Sequence, residues 1–293
     1  MKFLANGLLM HMAISVFTLR RMMKEHETSF LFFFDQTSLP EVNKERLGDG
    51  CYNVFLDVGA NLGLHGRFLF EPEKYPDAQV ARGIFDGQFG ARRDNRNTCV
   101  FAFEPNPNHK LKLQSNALAY QQLGWRYEVI SAAVGDEDGT MEFNHNNDEN
   151  NEEWGFSIYK ISKANTTKDI IPTIRLSSWI RHHISNRKVP SEPFGLTGNS
   201  TAKVVMKMDI EGSEFFVLPD LISSGVLCEI DFVFGEFHPW ADLNDFYEGT
   251  AISAEMYANF FLQVIPTFRR CGTVFRELDD ESYLHDEAPL PNM

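Results

Sequence analysis

The sequence lacks the marks of several common classes. Its one glycine turn between a strand-like and a helix-like run has no Gly-Lys-Ser/Thr, which excludes the phosphate cradle of a P-loop. The spacing there also fails the G-x-G-x-x-G pattern of a dinucleotide site. Cysteine is scarce and scattered: Cys51, Cys99, Cys228 and Cys271 form no C-x-x-C pair, so neither a disulfide framework nor a structural zinc is expected. Cys51, Cys99 and Cys228 fall at strand edges, where a thiol acts as a small buried apolar group. Positive charge is short, with 27 Lys and Arg against 41 Asp and Glu and a formal net charge of −14. That balance repels a phosphate backbone and excludes nucleic acid as a first choice of partner. No internal repeat is visible.

A long apolar run is missing too. Residues 3–19 are mostly apolar but broken by Asn6, His11, Ser15 and Thr18, and fall short of the roughly 20 residues of a spanning helix. Only Lys2 precedes the run, and no A-x-A cleavage site follows. Two readings stay open: an N-terminal helix packed on the domain, or a signal or anchor segment with possible membrane association. Arg20, Arg21 and Lys24 would hold the remaining chain on the cytosolic side if the segment spanned. A cytoplasmic location is favoured, an endomembrane or secretory anchor through 3–19 being the alternative. The sequons at Asn165 and Asn199 matter only under the latter.

What is present is a chain of 293 residues, 43% apolar and 23% charged, ordinary values for a globular protein with a sizeable core. Residues 1–50 read as an N-terminal helical or extended segment. Residues 51–293 read as a single domain with insertions at 71–98 and 144–153. The domain is organised around Val54-Phe55-Leu56-Asp57-Val58-Gly59-Ala60-Asn61-Leu62-Gly63, an apolar strand that reaches an acid and turns through two glycines into a helix. Free N–H groups at such a helix start, beside Asp57, suit a ligand carrying both a carboxylate and a cation. S-adenosylmethionine has that combination.

Further strands follow. Cys99–Phe103 ends at Glu104, placed to accept hydrogen bonds from both ribose hydroxyls; the insertion 71–98 accounts for its distance from Asp57. Residues 109–123 carry apolar side chains at helical spacing. A third strand, 127–133, ends in small residues that leave room for a flat adenine ring. Segments 139–143 and 155–159 read as two strands joined by the polar tract 144–153, a loop or lid with Trp154 at its base. The cluster Arg92, Arg93 and Arg96 reads as a solvated face. A fourth core strand, 203–208, ends in Asp209-Ile210-Glu211-Gly212-Ser213-Glu214, and a fifth, 230–235, leads to Glu236-Phe237-His238. Residues 250–262 read as a helix, with 263–265 and 273–276 as closing strands.

Alternating strands and helices predict an α/β fold built on one doubly wound, mostly parallel sheet. Ligands sit outside the carboxyl ends of such strands, where Asp57, Glu104, Asp209, Glu211, Glu236 and His238 all fall. Methyl transfer from a sulfonium is an in-line displacement that asks chiefly for positioning, and a hydroxyl acceptor also needs a base. Asp209 or His238 is the expected base, with Glu211 and Glu236 orienting the acceptor. The same four side chains are ordinary ligands for a divalent cation, an alternative that stays open, and none is assigned as a metal ligand.

Leu56–Gly63, Phe103-Glu104-Pro105-Asn106-Pro107, Ala132-Ala133-Val134-Gly135 and Met208–Glu214, in that order, resemble the FkbM-type S-adenosylmethionine-dependent methyltransferases. The resemblance implies a seven-stranded, Rossmann-like sheet of the class I methyltransferase type with a reversed last strand. It implies S-adenosylmethionine as cofactor and O-methylation of a hydroxyl on a small molecule, sugar or other glycan acceptor. Methylation of a nitrogen or a carboxylate, or a non-catalytic binding module, are the alternatives. Carried over by motif, Asp57, Gly59, Asn61 and Gly63 face the methionine end, Glu104 and Asn106 the ribose side, and Ala132 and Ala133 the adenine region.

Overall fold

The computed structural model describes residues 46–146, 156–158, 166–195, 201–236, 238, 259, 271–278 and 288–291. All fall within one compact unit, Glu45–Met293. The run 3–19, both sequons, Trp154, most of the tract 144–153, the expected strand at 263–265 and nearly all of the expected helix 250–262 lie outside the described residues. Among the described residues no helix is long and apolar enough to cross a membrane.

The fold is α/β. β1 (Asn53–Val58), β2 (Thr98–Phe103), β3 (Arg126–Ile130), β7 (Val204–Met208), β8 (Phe232–Gly235) and β9 (Val274–Glu277) form one sheet in the order β3-β2-β1-β7-β8-β9. Every pairing in it is parallel. The described sheet therefore has six strands where seven were expected, and β9 runs parallel to β8 where a reversed last strand was implied. A second sheet, in the order β4-β6-β5, joins β4 (Ala133–Gly135), β6 (Thr166–Arg175) and β5 (Gly139–Asn146).

Two expected strands are revised. The third ends at Ile130, because the Ala132 N–H turns back to the Ile130 carbonyl at 2.9 Å, and Ala133 onward joins the second sheet. β5 pairs antiparallel with β6 along its whole length, where 155–159 had been expected as its partner. Among the described residues of that segment, 156–158, a single bridge, Asn144 to Ser157, reaches β5.

Side-chain alternation along the central strands builds two layers. Val54, Leu56 and Val58 of β1 and Val204, Met206 and Met208 of β7 face one core. It is closed by α4 (Leu176–Ile180) and α5 (Glu214–Ser223). Phe55 and Val205 face the other core, closed by α1 (Leu64–Phe70), α2 (Gln79–Phe89) and α3 (Lys110–Gln122). α2 is what the insertion 71–98 folds into: Ala81, Ile84, Phe85 and Phe89 are buried, an apolar stripe at helical spacing. Within the same insertion Arg93 is not on a solvated face. Its side chain is nearly buried, pairing with Asp86 and donating to the Leu69 carbonyl at 2.8 Å.

The cysteines overturn their expectation. Cys51–Cys99 and Cys228–Cys271 are disulfides, with Cα atoms 5.6 and 4.4 Å apart. The first joins the entry to β1 with β2, and the parallel pairing of those strands brings the two residues together across 48 positions. Spacing alone carries no trace of such a meeting.

Candidate active site

The site is assembled where the parallel strands end. β1 and β7 are paired in a register that sets Asp57 opposite Lys207. Both occur at inward positions of buried strands. Lys207 donates from Nζ to the Gly59 carbonyl at 2.6 Å and to Asp209 Oδ2 at 2.9 Å, tying the turn after β1 to the end of β7. The turn needs glycine at 59. Its φ is +82°, and a Cβ there would lie 1.7 Å from the Asp209 carbonyl oxygen. Asn61, left-handed at φ +49°, aims its N–H at Glu104 Oε2, 2.6 Å away. Glu104 Oε1 accepts the Asn106 N–H at 2.8 Å. Two accepted bonds leave a carboxylate with lone pairs to spare.

Two clefts open at these strand ends. The first is lined by Gly59, Asn61, Glu104, Ala132, Ala133, Asp209 and Glu211, with Phe143 and Phe156 as apolar walls. The second is lined by His65, Phe68, Lys207, Phe234, Glu236 and Leu278. Asn61, Asp209 and Glu211 border both. Asp57 lies beneath the turn, fully buried. Gly63 packs against Tyr127, Asn116 and Leu113 and lines neither cleft. Asn106 is also outside them; its Oδ1 accepts the Asn108 N–H at 3.0 Å in a local turn.

His238 is buried among carboxylates. Its Nδ1 lies 3.0 Å from Glu214 Oε1, and its Nε2 lies 3.6 Å from Asp209 Oδ1, 3.6 Å from Glu211 Oε2 and 3.9 Å from Glu236 Oε2. The four expected catalytic side chains are thus brought together. Asp209, Glu211 and His238 each present one donor atom within 4.8 Å of the others, a separation one cation could bridge. Protonated His238 supplies a positive charge at that place itself.

Electrostatics sorts the roles. Burial works against a charge on His238, yet the hydrogen bond to Glu214 and the charges of Glu214, Glu211 and Asp209 lift its pKa to about 10. Burial, aided by neighbouring carboxylates and opposed by His238, raises Glu211 to about 7. Asp209 goes the other way: burial opposes its charge, but Lys207 and His238 hold it below the usual carboxylate range. Burial pushes Asp57 up to about 7 although Lys207 pulls it down. His65 is driven down to about 3, first by burial and then by Lys207, and is neutral.

Sequence reading missed His65, Phe68, Ser157 and Glu214. Lys207 had a legible signal, a charge in an otherwise apolar strand directly before an acid. Ser157, whose Oγ donates to the Glu211 carbonyl at 2.7 Å, arrives through a bridge between distant segments and had none.

An all-parallel sheet carrying a glycine turn and a ring of acids at its strand ends is a Rossmann-like arrangement for binding a small cofactor. Residues 57–275 match the Methyltransferase FkbM domain, more than half of the chain, and the protein belongs to this family of methyltransferases. A solved structure titled as methyltransferase FkbM from Methylobacillus flagellatus KT is similar at 15% identity, with a TM-score of 0.29. The match takes in 59% of this chain and 29% of that one. No curated protein matches the chain significantly.

Proposed function

We propose that this methyltransferase uses S-adenosylmethionine and methylates a hydroxyl of a small molecule or sugar. The observation that carries the reading is the pair of clefts meeting at Asn61, Asp209 and Glu211: one for a donor, one for an acceptor, with the reacting groups between. The first cleft fits the cofactor by its chemistry. Among its described lining residues Glu104, Asp209 and Glu211 are acidic and His109 alone is basic, which suits a sulfonium and an ammonium and repels phosphates. The Gly59 turn and Asn61 would hold the methionine end, Glu104 the ribose, and Ala132 and Ala133 the adenine. When bound, the cofactor supplies an electrophilic methyl group.

The chain's own residues then divide the work. Glu211 faces both clefts, and a pKa near neutrality matches a general base. Asp209 is engaged by Lys207 and held ionised, which makes it a poor proton acceptor. His238 carries its proton at neutral pH, so it serves as a charge that steadies Glu211, Asp209 and Glu236. The second cleft pairs carboxylates with the rings of His65, Phe68 and Phe234. Its one lysine is spent on Asp209 and Gly59. Such walls favour an acceptor rich in hydrogen-bond donors with an apolar face, and disfavour a carboxylate acceptor.

Transfer of labelled methyl from S-adenosylmethionine to a panel of polyols, sugars and amines tests this. Glu211→Gln is expected to lower kcat at saturating cofactor by about a hundredfold, the scale of a lost general base. An unimpaired Glu211→Gln enzyme would favour a nitrogen acceptor. Cofactor binding without turnover on any acceptor would favour a binding module.

The two disulfides support a location in an oxidising compartment, which favours the endomembrane or secretory alternative over the cytoplasm.

A further inference from the structure

Glu214 occupies a position that neither the cofactor nor an acceptor can reach. It is fully buried at the first residue of α5. Its two oxygens nevertheless do three things. Oε1 accepts the Ile210 N–H at 2.7 Å, Oε2 accepts the Gly212 N–H at 2.8 Å, and Oε1 also meets His238 Nδ1 at 3.0 Å. The two N–H groups flank Glu211, which sits in the left-handed region at φ +52°. One carboxylate therefore fixes the backbone on either side of the proposed base and one edge of the imidazole beside it.

We propose that Glu214 is a positioning residue for methyl transfer, holding the His238 imidazolium through its Nδ1–H so that the Nε2–H is aimed at Glu211, Asp209 and Glu236. A carboxylate against one ring nitrogen keeps the proton there and presents the other nitrogen outward. The charged groups that the described structure brings to the ring are Glu214 from α5, Asp209 and Glu211 from the loop after β7, and Glu236 from the loop after β8. Glu214 is the one among them that holds the ring by a hydrogen bond and also shapes the Glu211 loop. Its part is indirect: it carries no proton to or from the acceptor and acts only through its neighbours. This inference rests on the proposed methyl transfer for its kinetic arm, but not for its spectroscopic one.

The test is Glu214→Gln, read in two ways. An NMR titration of labelled histidine, with the His238 resonance assigned by its loss in His238→Gln, needs no turnover. The wild-type ring is expected to titrate well above the ordinary histidine value, and Glu214→Gln to bring it down by roughly one pH unit or more. In turnover, Glu214→Gln is expected to lower kcat at least tenfold with cofactor affinity kept, and to move the alkaline limb of the kcat–pH profile toward neutrality. Glu214→Asp, which retains the charge, should restore that limb in part. A His238 ring that titrates identically in wild type and in folded Glu214→Gln overturns the proposal. So does an alkaline limb that stays in place in both Glu214→Gln and His238→Gln. If wild type transfers no methyl group while the NMR shift is seen, the methyl-transfer reading fails and the positioning of His238 by Glu214 stands.

Discussion

Asp57 shows how the site holds charge in reserve. It is fully buried on the α1–α3 side of β1, and no full hydrogen bond reaches either carboxylate oxygen. Lys207 across the strand pair is its main stabilising neighbour, and burial still lifts its pKa to about 7. The sign follows from that direction: the folded state holds the proton more tightly than the unfolded chain, so stability is greatest below the ordinary value of 3.8 and is lost as pH rises from there through about 7. Asp57→Asn is therefore expected to raise the melting temperature of the ligand-free protein at pH 8 by about 5 °C, on the order of 2 kcal/mol for a domain of this size, and by clearly less at pH 5. The same substitution should weaken cofactor binding. Thermal scans at the two pH values check the first part. Glu211 and His238 set the kinetic window: kcat should fall below pH ~7 as Glu211 takes up its proton, and again toward pH ~10 as His238 loses one.

At the level of elements, the strand ends were legible and their surroundings much less so. Asp57, Glu104, Asp209 and Glu236 could be placed because an apolar run that stops at an acid is a local pattern, and parallel sheets bind ligands at that end. The fate of 133–175 could not, since β4, β5 and β6 make a separate sheet by long-range pairing that no window of sequence displays. Gly63 shows the same limit. The motif asks for glycine there, but the physical reason lies in Tyr127 Oη, which would sit 2.7 Å from a Cβ. Arg67 gives an element-scale prediction. It is buried on α1, pairs with Glu71, and donates to the carbonyls of Ala288 at 2.8 Å and Pro289 at 3.1 Å. Glu71 Oε1 also accepts from Tyr120 Oη of α3 at 2.6 Å. Removing one partner of a buried pair costs about 3–5 kcal/mol, so Arg67→Ala should lower the melting temperature by about 10 °C. Limited proteolysis should then cut near 288–291 first.

For the whole molecule, the fold class was readable from alternating strand and helix patterns, while the redox state was not, since the cysteines meet only through strand pairing and a loop contact. Alkylation of the native protein under denaturing conditions is expected to find no free thiol before reduction and four after it. Removing Cys51–Cys99 by paired serine substitution should cost about 2–5 kcal/mol. Four reactive thiols in protein taken from its own cell would contradict the oxidising location. The net charge of −14 adds a second whole-molecule expectation: anionic acceptors should be poor substrates at low salt and improve as salt screens the repulsion.

The central claim is that the turn after β1 and Glu104 bind S-adenosylmethionine, and calorimetric titration of the purified protein tests it most directly. The wild type is expected to bind with micromolar affinity, and Glu104→Gln, shown to be folded by circular dichroism, to bind roughly tenfold more weakly, about 1.4 kcal/mol for a lost charge-assisted hydrogen bond. A folded wild-type protein that binds no S-adenosylmethionine, or a Glu104→Gln variant that binds it equally well, would contradict the account.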